Sequence, residues 1–158
     1  MYKLGNTSNK RLNTCNSDIQ LILRESIKVT QIDFGVAQGE RTVEQQQEYY
    51  NDGKSKVNPA SYMTLEALLD KGKHIVDGNI RKKADAVDIY AYVNGKASWD
   101  NRYLCYLGGV ITSTASRLFN EGLVTTKIRW GGNWDNDGEI ITDQSFQDLP
   151  HFESINIK

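Results

Sequence analysis

The 158-residue sequence contains few of the residues that mark specialised classes of protein: two cysteines, two prolines and two histidines. Cys15 and Cys105 are too few for a disulfide framework, so we expect reduced thiols. No stretch approaches the roughly 18 consecutive apolar residues that a membrane-spanning helix needs. Residues 1–7 turn polar at once, which predicts that the chain has no secretory signal peptide.

The sequence also lacks an excess of charge of either sign. Its 19 basic and 20 acidic side chains leave a net charge of −1, which provides no electrostatic attraction to nucleic acid or to an anionic membrane. We therefore expect neither a nucleic-acid partner nor membrane insertion. Apolar residues make up 39% of the chain and charged residues 25%, which is typical of a soluble globular protein. This length predicts a single domain over residues 1–158, and we expect the protein to be a monomer.

The periodicity of the apolar residues predicts an α+β fold. Ile19, Leu23 and Ile27 recur on one face of a helix, whereas residues 86–93 alternate like a half-buried strand and end at a turn dipeptide, Asn94-Gly95. The predicted elements are helices over 17–28, from Thr42 to Gly53, over 61–70 and over 101–121, and strands over 31–38, 86–93, 127–130 and 151–157. This order favours a small antiparallel sheet flanked by the N-terminal and central helices.

The first of the two histidines, His74, is followed by two carboxylates. Asp85 and Asp88 stand at the start of a predicted strand and are three residues apart. Successive side chains of a strand point to opposite faces, so only one of the two carboxylates can share a site with His74.

The second histidine, His151, also has acidic neighbours. On a strand, His151 and Glu153 would share one face, and Asp148 would lie at the edge of the same site. Two imidazoles and a carboxylate are suitable zinc ligands, and a further carboxylate beside them can accept a proton from water. The alternative is that each histidine is an ordinary surface or core residue, and spacing alone leaves this open.

Two blocks of the sequence resemble those of a known enzyme family. Ile128-Arg-Trp-Gly-Gly-Asn-Trp134, followed by Phe146-Gln-Asp-Leu-Pro-His-Phe-Glu153, resembles a WGG-x-W … D-x-PH-x-E signature. Upstream, Gln38-Gly-Glu-Arg-Thr42 with Gln46 resembles a QG-x-RT-x-x-x-Q segment. Both signatures are those of phage endolysins of the L-alanyl-D-glutamate peptidase type, which are part of the zinc D-alanyl-D-alanine carboxypeptidase superfamily.

A third block lies between these two and departs from the family pattern. His74 with Ala84-x-Ala-x-Asp88 resembles H-x-x-G-x-A-x-D, but fourteen positions separate His74 from Asp88 where the motif has seven. A longer loop formed by residues 77–83 would reconcile the two. Ala84 replaces the motif's glycine, so the backbone there should not need a left-handed conformation. Asp88 holds the motif's last position and is therefore preferred to Asp85.

The resemblance implies a fold like that of the D-alanyl-D-alanine peptidases and Hedgehog, with zinc bound at the sheet by His74, Asp88 and His151. It implies that Asp148 takes a proton from the attacking water and returns it to the leaving amine. It further implies that Arg41 binds a substrate carboxylate and polarises the scissile carbonyl, with Gln38 beside it on the substrate-binding side. Glu153 would orient His151, although a solvent-facing strand residue is an equal alternative.

The function that the resemblance implies is hydrolysis of the L-alanyl-D-glutamate bond in the stem peptide of peptidoglycan. One alternative is D-alanyl-D-alanine carboxypeptidase activity on the same scaffold, and a more distant one is a non-catalytic zinc-containing module that binds cell wall. We expect a single peptidase domain without a separate cell-wall-binding domain. Such a lysin would be made in the host cytoplasm and would reach the wall after the membrane is permeabilised.

A second metal site is predicted downstream. Asn133, Asp135, Asp137 and Gly138 match positions 1, 3, 5 and 6 of a calcium-binding EF-hand loop. Position 12 is Gln144 rather than glutamate, and an acidic turn rich in asparagine and aspartate is an equal alternative. The hypothesis is a weak calcium site that orders the loop leading to Asp148.

Overall fold

The computed structural model describes residues 1–156, which form helices and one antiparallel sheet. The α-helices are α1 (Asn6–Leu12), α2 (Ser17–Val29), α3 (Val43–Asn51), α4 (Leu65–Lys71) and α5 (Asn101–Asn120), and a short 3-10 helix spans Pro59–Ser61. The strands are β1 (Asp33–Gln38), β2 (Ala86–Val93), β3 (Lys96–Ser98), β4 (Lys127–Gly131) and β5 (Asp148–Ile155). The predicted α+β class is confirmed. Across residues 1–156, no helix is both long and apolar enough to cross a membrane.

Several element boundaries follow local capping. The capping box of Thr42 and Gln45 starts α3, and Gly53 lies just beyond its end with a φ of 73°, as a helix C-terminus often requires. The predicted helix over 61–70 instead begins at Leu65, because the Thr64 side chain accepts a hydrogen bond from the Ala67 N–H and caps the helix there.

The remaining differences lie at the chain start and in the sheet. Helix α1 and strand β3 were not predicted, because α1 has no side-chain cap and β3 is only three residues long. Asn94 and Gly95 both have positive φ, as a two-residue hairpin turn requires, and they pair β3 with β2. Strand β5 starts at Asp148 rather than at residue 151, and its predicted end at residue 157 lies outside the described residues.

The sheet has the order β1-β2-β5-β4. Strand β5 pairs with the first half of β2, and β3 pairs with its last three residues. Along β2, Val87, Ile89 and Ala91 are buried in the core, whereas the alternate residues lie on the opposite face. Helix α1 packs against β1, and α5 packs against β2, β4 and β5. The helices thus contribute to the core on one face of the sheet, and the other face is left for the polar side chains of β1, β2 and β5.

A tight contact between α5 and β4 fixes the position of the central helix. The Trp130 ring is buried, and its Nε1–H donates a hydrogen bond to the Leu149 carbonyl at 2.7 Å. A Cβ added to Gly108 would lie 2.5 Å from the ring atom Cζ2 of Trp130. Gly132 confines the same ring, because a Cβ there would also collide with it. The ring therefore has little room to move away from α5.

We expect Gly108→Ala to destabilise the fold and Gly109→Ala to stabilise it. Both glycines lie in α5 and gain about 0.8–1 kcal/mol of helix propensity from alanine, but a Cβ on Gly109 meets no atom within 4 Å. Overpacking against Trp130 should lower the free energy of unfolding of Gly108→Ala by about 1–3 kcal/mol. Urea denaturation of both variants measures this difference. Equal stability of the two would contradict the packing of Trp130 against α5.

Candidate active site

The sheet places three polar residues side by side on its open face. Asp88, near the start of β2, is paired with Gln38 of β1 on one side and with His151 of β5 on the other. These pairings bring residues together that are far apart in sequence, because neighbours across an antiparallel sheet have side chains on the same face. A bulge follows Val36 in β1, so Gln38 still faces Asp88 although the regular register ends.

His74 reaches this row from a loop. The Arg41 N–H donates to the His74 carbonyl at 2.8 Å, and the Val76 N–H donates to the Arg41 carbonyl at 3.0 Å. These bonds form a short parallel bridge between the chain after β1 and the chain after α4. His74 is buried, and its position is therefore set by backbone hydrogen bonds to the end of the sheet.

Three ligand atoms converge where His74, Asp88 and His151 meet. Nε2 of His74 lies 3.2 Å from Oδ1 of Asp88 and 3.2 Å from Nδ1 of His151. The distance between Nδ1 of His151 and Oδ1 of Asp88 is 3.1 Å. The three atoms thus form a nearly equilateral triangle.

The far nitrogen of each histidine ring has an acceptor. Nδ1 of His74 lies 2.7 Å from the Gly39 carbonyl oxygen, and because a carbonyl only accepts, this nitrogen carries the proton. Nε2 of His151 lies 2.8 Å from Oε2 of Glu153, which Arg129 also pairs with. With the protons on the far nitrogens, the nitrogens that face each other present lone pairs. Glu153 therefore orients the His151 ring and does not face solvent.

This donor set fits a metal ion. Two nitrogen lone pairs and a carboxylate oxygen would repel one another without a cation between them. Tetrahedral coordination with bonds of about 2.0–2.1 Å separates neighbouring ligand atoms by about 3.3 Å, close to the sides of the triangle. Burial opposes charge on His151, but without a cation in the triangle its bonds to Asp88 and Glu153 outweigh burial and raise the pKa of its ring to about 10, so a bound metal ion would take the place of the second ring proton. The group of His74, Asp88 and His151 could thus hold a metal ion.

Arg41 provides a second positive charge in the site. Its side chain is buried, and its Nη1 and Nη2 donate to the amide oxygens of Gln46 at 2.8 Å and Gln38 at 2.6 Å. The guanidinium lies 4.3 Å above the Tyr49 ring. Within residues 1–156 it forms no ion pair, and its buried Nε–H has no acceptor. Neutral amides fix the orientation of Arg41 but leave its charge available for an anion.

Asp148, at the start of β5, lines the same cleft as Arg41 and the histidines. Burial raises the pKa of the Asp148 carboxyl above its ordinary value and outweighs the positive charges of His151, His74 and Arg41, which act in the opposite direction. A carboxylate with a raised pKa holds a proton more readily than an exposed one, which suits a group that must both accept and release it.

The cleft around these residues has a volume of about 500 Å³. Trp134 forms part of its wall, with its ring centre 5.6 Å from that of His151 and 6.0 Å from that of Phe146. Several lysines line the rest, and we call this space the lysine cleft: Lys54, Lys56, Lys71 and Lys73.

The long connection between His74 and Asp88 closes on itself. The Asp77 carboxylate accepts the N–H groups of Ile80 and Arg81, and the Arg81 guanidinium returns to the Gly72 carbonyl at 2.9 Å. Arg81 also pairs with Asp85, which lies away from the ligand triangle. Residues 77–83, which lengthen the interval between His74 and Asp88, therefore form a turn of their own outside the metal-ligand triangle.

The predicted calcium ligands lie in an exposed loop. Carboxylate oxygens of Asp135, Asp137 and Asp143 lie close enough together to hold a metal ion. The Asn133 side chain donates to the Asp137 carbonyl at 3.1 Å. The Gln144 side chain accepts the Trp134 N–H and donates to the Gly131 carbonyl, so it braces the loop. Calcium binding by Asn133, Asp135 and Asp137 stays a prediction.

Sequence reasoning assigned no role to three residues that support the site. Gln46 and Tyr49 fix Arg41, and Arg129 pairs with Glu153. Only Gln46 had a signal, as the last residue of the QG-x-RT-x-x-x-Q segment. Arg129 and Glu153 are 24 positions apart, and the contact of Tyr49 with Arg41 depends on how α3 packs, so neither contact leaves a local pattern.

Comparison with known proteins gives consistent results. A family model described as phage L-alanyl-D-glutamate peptidase matches residues 1–155. The L-alanyl-D-glutamate peptidase of Escherichia phage T5 is 27% identical over 138 residues, which cover 87% of this chain and 85% of that protein. The crystal structure of the Serratia marcescens L-Ala D-Glu endopeptidase ChiX has a similar fold, with a TM-score of 0.64 and 20% identity over 97% of this chain and 90% of that one.

We expect Asp88→Asn to weaken binding of Zn²⁺, used as the test metal, by at least about 100-fold, because a neutral amide replaces the anionic ligand. Asp85→Asn is the matched control, since Asp85 lies three residues away and pairs with Arg81 instead. Isothermal titration calorimetry of metal-free protein measures both affinities. Zinc affinity that is lost with Asp85→Asn and kept with Asp88→Asn would reverse the assignment.

Proposed function

Because the chain belongs to the phage L-alanyl-D-glutamate peptidase family, we propose that it cleaves this bond in peptidoglycan with a zinc ion held by His74, Asp88 and His151. The chain is a peptidase, and its substrate is the stem peptide of the cell wall. The observation that carries the metal assignment is the triangle of ligand atoms, with the outer nitrogen of each imidazole already donating a hydrogen bond, to Gly39 or to Glu153. Imidazole nitrogen with carboxylate oxygen is a ligand set that zinc takes readily.

When bound, zinc supplies a Lewis acid that makes water a better nucleophile near neutral pH and polarises a carbonyl group. Glu153 and the Gly39 carbonyl keep the two imidazoles in the tautomers that such an ion needs. Burial raises the pKa of Glu153, but the hydrogen bond and charge of His151, followed by those of Arg129, outweigh burial and lower that pKa to about 2, so Glu153 stays anionic.

Arg41 is the residue that we propose for binding the substrate anion. A planar guanidinium suits a carboxylate, such as that of D-glutamate, and is permanently charged. Gln38 and Gln46 fix its orientation before substrate arrives, so little conformational entropy is lost on binding. The same positive charge stabilises the oxyanion that develops on the scissile carbonyl.

Asp148 is the proposed proton carrier. Its carboxylate takes a proton from the water whose oxygen bonds to the L-alanyl carbonyl carbon. It then delivers this proton to the D-glutamate nitrogen as the C–N bond breaks, so that the leaving group departs as a neutral amine. Burial in the cleft supports this role, because it raises the pKa of Asp148 towards the range in which both transfers are feasible.

We also propose that the protein is made in the host cytoplasm and acts on the wall once the membrane has been permeabilised. The proposal follows from the phage family to which the chain belongs.

Digestion of purified sacculi tests the proposed bond. With zinc-loaded protein we expect new amino termini of D-glutamate, detected by mass spectrometry, and we expect a chelator to abolish them. Release of free D-alanine alone would instead identify a D-alanyl-D-alanine carboxypeptidase. A folded, zinc-loaded sample that yields no product would favour a module that only binds cell wall.

We expect Asp148→Asn to lower kcat by about 10²–10⁴-fold, the usual contribution of a general acid–base residue, while zinc affinity changes little. Glu121 is exposed at the end of α5, pairs with Arg117 and does not line the cleft, so Glu121→Gln is the control and should keep wild-type turnover. Hydrolysis of a soluble stem peptide and calorimetry with zinc measure the two quantities. Full turnover by Asp148→Asn would remove Asp148 from the mechanism.

A further inference from the structure

A second cleft meets the lysine cleft at Asp88, which lines both. It has a volume of about 610 Å³, and we call it the tryptophan cleft after its most exposed aromatic residue. Tyr49, Trp99 and Pro150 contribute to its walls, and Gln38 lies at the end next to the site. A ligand that occupies both clefts must therefore pass the ligand triangle.

Trp99 is presented to solvent from a fixed position. Its side chain is 53% exposed and follows directly after β3. The ring packs at 6.0 Å from the Tyr90 ring, and the Tyr90 ring itself covers Gly35, where a Cβ would collide with it. On the other side, Asp100 caps α5 by accepting the Arg102 N–H. An exposed aromatic ring that is held in place beside a catalytic cleft is suited to stacking on a ligand.

The boundary between the two clefts is the stacked pair of Arg41 and Tyr49. Arg41 lines the lysine cleft, whereas Tyr49, whose ring lies 4.3 Å below the guanidinium, lines the tryptophan cleft. The anion-binding group and the aromatic surface therefore belong to opposite sides of the site.

The two clefts also differ in charge. Six basic side chains and four acidic ones line the lysine cleft: Arg41, Lys54, Lys56, Lys71, Lys73 and Arg129, with Asp70, Asp88, Asp148 and Glu153. The tryptophan cleft has two of each sign: Lys10 and Arg11, with Glu40 and Asp88. The lysine cleft thus favours anions, and the tryptophan cleft has no such preference.

The proposed substrate has a matching asymmetry. On the acyl side of the scissile bond, L-alanine is linked through a lactyl ether to an amino sugar without net charge. On the amine side, D-glutamate and the residues that follow carry free carboxylates. A pyranose ring has an apolar C–H face that stacks on an indole, and carboxylates pair with lysine and arginine.

We propose that the tryptophan cleft binds the amino sugar that carries L-alanine, with the sugar ring stacked on Trp99, and that the acidic part of the stem lies in the lysine cleft. This inference rests on the proposed function, because it assigns the two ends of that substrate. The substrate is then bound in a single orientation, and the enzyme has a higher kcat/KM for stem peptides attached to the glycan than for free peptides.

Kinetics with two soluble substrates test this assignment. One is the stem peptide attached to its disaccharide, and the other is the same peptide with a free L-alanine amino group. We expect Trp99→Ala to lower the ratio of kcat/KM between the disaccharide substrate and the free peptide by about tenfold, which corresponds to about 1.4 kcal/mol. Trp99→Phe, which keeps a smaller ring, should lie between this variant and the wild type.

Tyr92→Ala is the matched control. Tyr92 is an aromatic residue of β2 with 45% of its surface exposed, it lies on the same face as Asp88, and it lines neither cleft. Its substitution should leave the ratio unchanged. A ratio that Trp99→Ala does not alter would overturn the proposal and would point instead to a contact of Trp99 with another protein.

A binding measurement separates this proposal from the proposed function. The probe is the disaccharide linked to L-alanine, followed by the NMR signal of the Trp99 indole N–H, which is identified by its absence in Trp99→Phe. We expect this signal to shift saturably. The signal of Trp130 is the internal reference, because that buried indole donates to the Leu149 carbonyl and should not move.

The outcomes are distinct. Failure of the wild type to cleave either substrate would refute the proposed function, whereas the titration would still decide whether the sugar binds at Trp99. No shift of the Trp99 signal at millimolar probe, or equal shifts of Trp99 and Trp130, would refute the sugar site even if both substrates are cleaved.

Discussion

The register between β2 and β5 is the constraint on which the site depends. It pairs Asp88 with His151, and it sends the intervening neighbours Val87 and Phe152 into the core. A slip of one residue would exchange these faces and would bury the ligands while exposing the apolar residues. The energy that specifies the register therefore comes from the hydrophobic core, and the geometry of the open face follows from it. The relative positions of Asp88 and His151 are therefore set by hydrophobic packing on the opposite face of the sheet.

The site provides for two positive charges, a metal cation at the three ligand atoms and the guanidinium of Arg41. The three ligand atoms form a centre that could hold a metal cation, whereas the guanidinium of Arg41 is a permanent cation that forms no ion pair within residues 1–156. Placing Asp88 against Arg41 would have neutralised both and left neither for its partner. Instead, Gln38 and Gln46 satisfy the guanidinium with neutral oxygens. Fixing a charge with dipoles rather than with a counter-ion keeps it available in a buried setting.

Much of the fold was predictable because the capping and turn residues mark the same elements as the periodicity of the apolar residues. The capping box at Thr42, the hairpin turn at Asn94 and the alternation along β2 each indicated an element that the structure contains. The start of α4 was misplaced because a threonine cap outweighed apolar spacing. Helix α1 was missed because its stability comes from packing against β1 rather than from its own sequence.

The site was predictable only in part. The motif residues could be named, but the sequence offered no way to see that Gln38 binds Arg41, that Tyr49 lies beneath it or that Arg129 supports Glu153. These contacts depend on how the side chains are oriented once the elements have packed, whether the partners are three residues apart, as Gln38 and Arg41 are, or 24, as Arg129 and Glu153 are. Periodicity does not encode this. Trp99 was passed over for the same reason, since a single aromatic residue next to a helix cap has no distinctive pattern.

The way in which His74 is held has a consequence for recognising related chains. Its imidazole is positioned by the Gly39 carbonyl and by the backbone bridge to Arg41, while the residues that lead on towards Asp88 fold back as a turn closed by Asp77 and Arg81. The number of residues between the two ligands is thus a property of the turn and carries no information about their separation in space. A search that demands a constant histidine-to-aspartate interval would reject sequences whose metal-binding geometry is intact, whereas one that lets the interval vary and requires the Gln38–Arg41 segment would retain them.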